Sequence, residues 1–183
     1  VNNFIWKAKP DGYNMIMLNL PSFTNRELIK KQPFKILEMS FIYGISGGDF
    51  NVLVVPYNSP IKNFQDLKNA AAEKMLSCGG VTQGSNSWYS SILLREAAGI
   101  KLKYVPYDSG IEAATAAGGN HVDISIASIT SATQPIQNKL IRPIVMFGDD
   151  KDPAFPDVPT MVDLGFKEVH FVTRMGLAGP PGM

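Results

Sequence analysis

The sequence predicts an α/β protein whose central part forms one complete lobe with a mainly parallel β-sheet. Between residues 51 and 147, apolar runs of strand length alternate with segments of helical periodicity, and glycine, proline or capping residues mark the changes. The chain has 183 residues, of which 45% are hydrophobic and 18% are charged. These values describe a globular protein of one large domain or two small ones.

Five strands and four helices are predicted in this lobe, which we place at residues 50–148. The strands are expected at 51–57, 75–78, 102–107, 122–127 and 141–147. The helices are expected to begin at Asn63, at one of the residues 85–87, at Ser109, and at Ser128 or Thr130. The strand at 51–57 is apolar throughout, which is typical of strands buried on both faces of a parallel sheet.

The flanking segments are predicted to be pieces of a second lobe. Residues 1–49 should contain a turn at 10–12, a strand at 13–20, a short helix ending near Ile29, and a loop at 44–48. Residues 149–183 are interpreted as a linker and a return to that lobe, with a short helix at 160–164 and a strand at 169–177.

Composition excludes several classes of protein. The net charge is +1, so the chain lacks the basic surface expected of a nucleic-acid-binding protein. No apolar run is long enough to span a bilayer, and no basic-then-apolar leader follows Val1. The single cysteine, Cys78, is interpreted as a buried thiol, and the two histidines, His121 and His170, lie far apart. We therefore expect no metal, no cofactor and no direct membrane insertion.

The loop after the predicted strand at 75–78 has the features of an anion-binding site. It is rich in glycine and serine and leads into a helix that ends at Gly99. Unpaired N–H groups and the positive end of the helix dipole meet at such a position, and glycine lets a ligand approach closely. An ordinary strand-to-helix turn explains the same residues, and the loop fits neither a nucleotide-binding fingerprint nor a nucleophile elbow.

A second loop, at 107–110, has the same design. Both loops would lie at the carboxyl ends of strands, where open α/β sheets bind ligands. Neither contains Arg or Lys, and the nearest are Arg95 and Lys103, so a bound carboxylate would be held by backbone N–H groups and serine hydroxyls. Asp123 joins the candidates, although aspartate at a strand start is more often a turn or cap residue. The predicted ligand-binding residues are Gly84, Ser85, Asn86, Ser87, Tyr107, Ser109, Gly110, Ile111 and Asp123.

Seven segments together resemble the solute-binding proteins of tripartite tricarboxylate transporters, the TctC or Bug family. They follow the order of that family across nearly the whole chain. The segments are 10–13, 54–60 with Leu67, 84–87, 105–110 with Ala113, 119–123, 155–160 with Gly165, and 176–182. The sequence departs from the family pattern at Trp88, where histidine is usual, at Ser109, where glycine is, and at Asp163, where glutamate is.

The resemblance implies a periplasmic binding protein of type II, the Venus flytrap, with one complete lobe and part of another. Such a protein is not an enzyme. It is a monomer that captures a small di- or tricarboxylate, or another carboxylate, and delivers it to the membrane subunits of a tripartite transporter. The resemblance also implies that the family's first strand and glycine-rich loop, and its last helices, lie outside this chain.

Two other functions remain open from the residues alone. A ligand-sensing module that signals to a partner would need the same carboxylate pocket, and gene neighbourhood would distinguish it. A small-molecule enzyme on a doubly wound sheet would show turnover of a bound acid, but the sequence contains no catalytic motif that favours it.

Overall fold

The computed structural model describes residues 2–169 and 171–183, without the side chains of residues 2, 26, 28 and 46–48. His170 therefore lies outside the described residues. The chain divides into two compact units. Unit 1 comprises Val1–Gly48 and Thr173–Met183, and unit 2 comprises Asp49–Val172.

The described residues of unit 1 form two short α-helices, a 3-10 helix at Ile36–Glu38, and three strands or parts of strands. The α-helices and strands are α1 (Asn2–Trp6), β1 (Ile16–Leu20), α2 (Ser22–Ile29), the first part of β2 (Ser40–Pro56), and β7 (Val172–Gly179). Strand β7 pairs antiparallel with β1, with Ile16 opposite Ala178, and also lies beside β2. The buried residues of this unit include Ile5, Leu18 and Ile36.

The predicted loop at 44–48 is wrong, because β2 continues through it without interruption. Glycine and serine carry little intrinsic strand preference, so this stretch has no local strand signal. Its extended backbone is set by tertiary pairing beside β7, where Gly176 approaches the Tyr43 carbonyl. The strand predicted from Tyr13 begins later, at Ile16, since the Asp11 carboxylate accepts a hydrogen bond from the Tyr13 N–H (3.2 Å) in a turn.

Unit 2 contains the five predicted strands in one sheet. They are the second part of β2, β3 (Leu76–Val81), β4 (Leu102–Tyr107), β5 (Ile124–Ser128) and β6 (Ile141–Met146), in the order β6-β2-β5-β3-β4. Strands β3, β4 and β5 are parallel to one another. Strand β2 is antiparallel to both of its neighbours in unit 2, β5 and β6. The sheet is therefore mixed, with β2 reversed in its interior.

Helices cover both faces of this sheet. They are α3 (Phe64–Glu73), α4 (Asn86–Ala98), α5 (Gly110–Gly118) and α6 (Ile129–Gln137). Leu53 and Val55 of β2 pack with residues of α3 and α4, whereas Val52 and Val54 pack with residues of α5 and α6. All four side chains are fully buried, as the apolar run predicted. Cys78 is also buried, and burial raises the pKa of its thiol to about 12.

Residues 149–172 pack with unit 2, whereas the sequence interpretation placed 149–183 in a linker and return segment. Backbone hydrogen bonds attach this stretch to the end of β6. The Met146 N–H donates to the Pro159 carbonyl (2.9 Å), and the Phe171 N–H donates to the Phe147 carbonyl (2.6 Å). The helix predicted at 160–164 is wrong, because the chain forms hydrogen-bonded turns there instead.

Candidate functional site

Three helices begin at one edge of the unit 2 sheet. Strands β3, β4 and β5 are parallel, and each is followed by a helix that starts within a few residues, namely α4, α5 and α6. Neighbouring strands lie about 4.8 Å apart, so the ends of three adjacent strands fall within roughly 10 Å of one another. The N-termini of α4, α5 and α6 are therefore gathered at the carboxyl edge of this sheet.

A serine caps each of these helices in the same way. The hydroxyl oxygen of Ser85 accepts a hydrogen bond from the Trp88 N–H (3.3 Å), and Ser109 accepts one from the Glu112 N–H (3.1 Å). Ser128 does the same for the Ser131 N–H (3.2 Å). Each cap serves the third N–H of its helix, and an α-helix offers its first two N–H groups no internal acceptor. The first two positions are Asn86 and Ser87 in α4, Gly110 and Ile111 in α5, and Ile129 and Thr130 in α6.

A network of hydroxyl groups holds the loop between β3 and α4 in place. The Tyr104 hydroxyl donates to the Val81 carbonyl (2.6 Å) and is hydrogen-bonded to the Ser87 hydroxyl (2.9 Å). Ser87 Oγ also accepts from the Val81 N–H (2.9 Å) and is bonded to Ser85 Oγ (3.0 Å). Burial raises the pKa of Tyr104 to about 12, so the phenol keeps its proton and its donor role.

This network gives Ser85 and Ser87 different roles. The Ser87 hydroxyl has one proton and two lone pairs, and it has three partners inside the protein, so it positions the loop. The Ser85 hydroxyl is only partly buried, accepts from the Trp88 N–H and donates its proton to Ser87 Oγ, which leaves it one lone pair and no free donor. Asn86 follows directly, at the first position of α4.

The α5 N-terminus lies against that of α6. A Cβ placed on Gly110 would lie 3.1 Å from Ser131 Oγ, so glycine allows the two helix starts to approach. Ser109 is exposed, and the exposed fraction of Ile111 is 59%. The Tyr107 ring packs against the buried apolar residues under α5 and α6. It also covers Gly79, because a Cβ placed on that glycine would lie 3.2 Å from the ring.

The α6 N-terminus is a component of this edge that the sequence did not assign to the site. The cap at Ser128 was predicted, but the position of β5 beside β3 was not, since strand order depends on tertiary pairing. The carboxylate of Asp49 also lies at the α6 N-terminus. Thr130 Oγ1 donates a hydrogen bond to Asp49 Oδ1 (3.2 Å).

Asp123 lies apart from the other predicted ligand-binding residues. It precedes β5, whose Ile124 pairs with Cys78, so it sits beside Ser77 near the amino end of β3. The opposite end of β3, at Val81, leads to the predicted ligand-binding loop and is about 13 Å away along the strand. Asp123 lines a cavity of about 560 Å³ at this amino edge, together with Lys74 and His121.

Three donor groups of its own unit hold the Asp123 carboxylate. It pairs with Lys74 Nζ (2.6 Å) and accepts hydrogen bonds from the N–H (2.8 Å) and hydroxyl (2.6 Å) of Ser77. Partial burial alone would raise the pKa of Asp123, but the hydrogen bonds from Lys74 and Ser77 outweigh it and hold the pKa below its ordinary value of 3.8. This geometry indicates a structural link between β3 and β5.

We expect Asp123→Asn to lower the free energy of unfolding by about 1–3 kcal/mol at pH 7, because charged hydrogen bonds are lost. A depressed pKa stabilises the folded state above the unfolded pKa, and that contribution is lost as the pH falls through the folded pKa. The difference between the proteins should therefore shrink below about pH 4. Urea titrations at pH 7 and pH 3 measure it, with the exposed Asp157→Asn as control. An equal loss at both pH values would contradict the ionic explanation.

The described residues show neither a metal cluster nor a membrane helix. Among residues 2–169 and 171–183, no three His, Cys, Asp or Glu side chains come close enough to share a metal ion. No helix in this part of the chain combines the length and the apolar character needed to cross a bilayer.

Comparison with known protein families identifies the chain. The model of the tripartite tricarboxylate transporter family receptor, TctC, matches residues 2–183. The chain belongs to the TctC family. This is a family of solute-binding receptors and not of enzymes.

Curated relatives of this TctC chain are longer than it is. A UPF0065 protein from the gbd 5′ region of Cupriavidus necator is 28% identical over 178 residues, which cover 94% of this chain and 53% of that protein. The chain spans about half the length of the curated relatives it matches.

Solved structures show the fold of the TctC chain. The periplasmic binding protein BugD matches with a TM-score of 0.84 at 23% identity, over 99% of this chain and 61% of that one. MatC from Rhodopseudomonas palustris, with bound malate, matches with a TM-score of 0.83 at 21% identity, over 99% and 63%. An R. palustris protein with adipate gives 0.86 at 19% identity, over 99% and 62%. The chain thus has the periplasmic binding protein type II fold over the part it covers.

Proposed function

We propose that this TctC chain captures a small organic acid, a di- or tricarboxylate or a related carboxylate, for a tripartite tricarboxylate-type transporter. The observation that carries the proposal is the set of three serine-capped helix N-termini at one edge of the unit 2 sheet. Such termini attract anions through N–H groups and the helix dipole. Membership of a receptor family supports capture rather than catalysis.

The ligand carboxylate would be held mainly by backbone groups. Its oxygens are acceptors, which suits the first N–H groups of α4 and α5 at Ser87, Gly110 and Ile111. The Ser85 hydroxyl contributes indirectly, by capping α4, because its proton is used in the bond to Ser87. Arg95, the first basic residue after this loop, lies about 15 Å along α4 from its cap and pairs with Glu96.

We further propose that the protein works in the periplasm as a monomer and delivers its ligand to the membrane subunits of the transporter. Family membership and the likeness to periplasmic binding proteins support this location and these partners. The structures of relatives with malate and adipate support carboxylates as the class of ligand.

Calorimetric titration of the purified protein tests the proposal. The panel contains C4 to C6 dicarboxylates and tricarboxylates, each matched with its neutral amide. We expect at least one acid to bind and its amide to bind about 100-fold more weakly or not at all, because charge-assisted hydrogen bonds are lost. Binding of the amide and the acid with equal affinity, or binding of no acid, would refute the proposal.

A further inference from the structure

Asp49 occupies the N-terminus of α6. Strand β2 runs antiparallel to β5 with Asn51 opposite Ser128, and this register brings Asp49, two residues earlier, beside Thr130. The carboxylate accepts a hydrogen bond from the Thr130 hydroxyl (3.2 Å). A carboxylate of the chain itself therefore lies at one of the three anion-attracting helix ends.

The Asp49 carboxylate can accept further hydrogen bonds. An ionised carboxylate has about four acceptor positions, and the Thr130 hydroxyl occupies one of them. Asp49 is half-buried, so its carboxylate is not closed off from a ligand. Burial raises the pKa of this carboxyl, and the hydrogen bonds from Thr130 and Phe50 oppose that rise.

Asp49 is also close to the helix starts that would hold the ligand. Gly110, at the start of α5, lies against Ser131, and Ser131 directly follows the Asp49 partner Thr130. On the other side, Asn51 of β2 donates a hydrogen bond to Ser90 Oγ of α4 (2.9 Å). The strand that carries Asp49 is thus bonded to α4, and its carboxylate is bonded to α6.

We propose that Asp49 determines the ligand specificity of this edge, favouring carboxylic acids that carry a hydroxyl or ammonium donor next to the bound carboxylate. The inference rests on the proposed function. A plain dicarboxylate offers only acceptors and negative charge to Asp49, which repels it. A donor on the ligand fills an open acceptor position and offsets that repulsion. A hydrogen bond to a charged group corresponds to roughly tenfold or more in affinity.

Titrations with acids that differ by one donor test this specificity. Succinate is compared with malate, which adds a hydroxyl, and with aspartate, which adds an ammonium group. Tricarballylate is compared in the same way with citrate. In the unaltered protein we expect the tightest-binding acid with a donor, within a set, to bind at least about tenfold more tightly than the acid of that set that lacks the donor. In Asp49→Asn the ratio should fall below about threefold, and affinity for the plain acid should rise.

The matched control is Asp66→Asn. Asp66 lies in the first turn of another helix, α3, where it accepts a hydrogen bond from the Lys62 N–H (2.9 Å). This variant also removes one carboxylate from a helix N-terminus of unit 2, so it should leave the ratio unchanged. Asp49→Ser provides a second neutral variant if Asp49→Asn does not fold.

Each outcome either supports or overturns the role of Asp49 in ligand specificity. A ratio that depends on Asp49 and not on Asp66 supports the inference, and the malate and aspartate arms identify the preferred donor. A preference that persists in both neutral variants, or the absence of any preference in the unaltered protein, overturns it while leaving carboxylate capture intact. If no carboxylate binds the unaltered protein, the proposed function fails, and the inference fails with it.

Discussion

Replacing Gly80 with alanine is expected to lower the free energy of unfolding by about 3 kcal/mol or more, since overpacking and the loss of hydrogen bonds combine. A Cβ at this position would overlap the Tyr104 hydroxyl oxygen and lie 2.8 Å from Tyr104 Cζ. The ring would have to shift, which would disrupt its hydrogen bonds to Val81 and Ser87. Denaturant titration followed by circular dichroism measures the loss, and ligand affinity should fall as well, because the same bonds hold the loop before α4.

Two further variants make the Gly80 prediction specific. Gly44→Ala is the control, since a Cβ there meets no atom within 4 Å. Tyr104→Phe alone should cost about 1–2 kcal/mol, because Val81 and Ser87 lose a partner. The double variant Gly80→Ala with Tyr104→Phe should be more stable than Gly80→Ala alone, because the overlapping oxygen is gone. Fully additive losses would show that the two residues do not compete for one space.

Replacing Gly84 or Gly110 with valine is expected to reduce carboxylate affinity by at least about 100-fold, whereas Ser85→Ala should reduce it only about three- to tenfold. Gly84 has a φ of +82°, a left-handed conformation in which valine is strained. Valine at Gly110 would press on Ser131 and move the start of α5. The neutral hydrogen bond by which Ser85 caps α4, by contrast, contributes only about 0.5–1.5 kcal/mol. Calorimetry provides the affinities and thermal melting the stabilities.

The control for these glycines is Gly99→Val. Gly99 also has a positive φ, +67°, but it ends α4 at the far end from the loop. This variant should lose stability and keep its affinity. If Ser85→Ala abolished binding while both glycine variants bound normally, recognition by side chains would replace the backbone model. Equal affinity in all three site variants would place the ligand elsewhere.

Local chemistry made much of unit 2 predictable. The alternation of apolar runs and helical segments located all five strands, and the cap residues Asn63, Ser85, Ser109 and Ser128 each accept the hydrogen bond expected of an N-cap. Caps depend on neighbours in sequence, so they can be read without knowing the fold. The same local reading located the starts of α4 and α5 as a candidate site.

Features that depend on tertiary pairing were not predictable in this way. The apolar run at 51–57 shows that a strand is buried on both faces, but it carries no information on direction, and β2 proved antiparallel to β5 and β6. Asp123 and the loop at 84–87 were predicted to share one site, yet they lie at opposite ends of β3. The nearness of Asp49 to α6 follows only from the β2–β5 register.

The reversed strand β2 also has a consequence for the order in which unit 2 folds. Strands β3, β4 and β5 and the helices between them join neighbours along the chain, whereas β2 pairs with β5 and β6, near the far end of the unit's sequence. Contacts between distant segments carry a larger loop-closure entropy and form later. The parallel part of the sheet can therefore assemble first, and β2 joins it beside β5 as a late step. Since Asp49 precedes this part of β2, the carboxylate at α6 would reach its place only when folding is nearly complete.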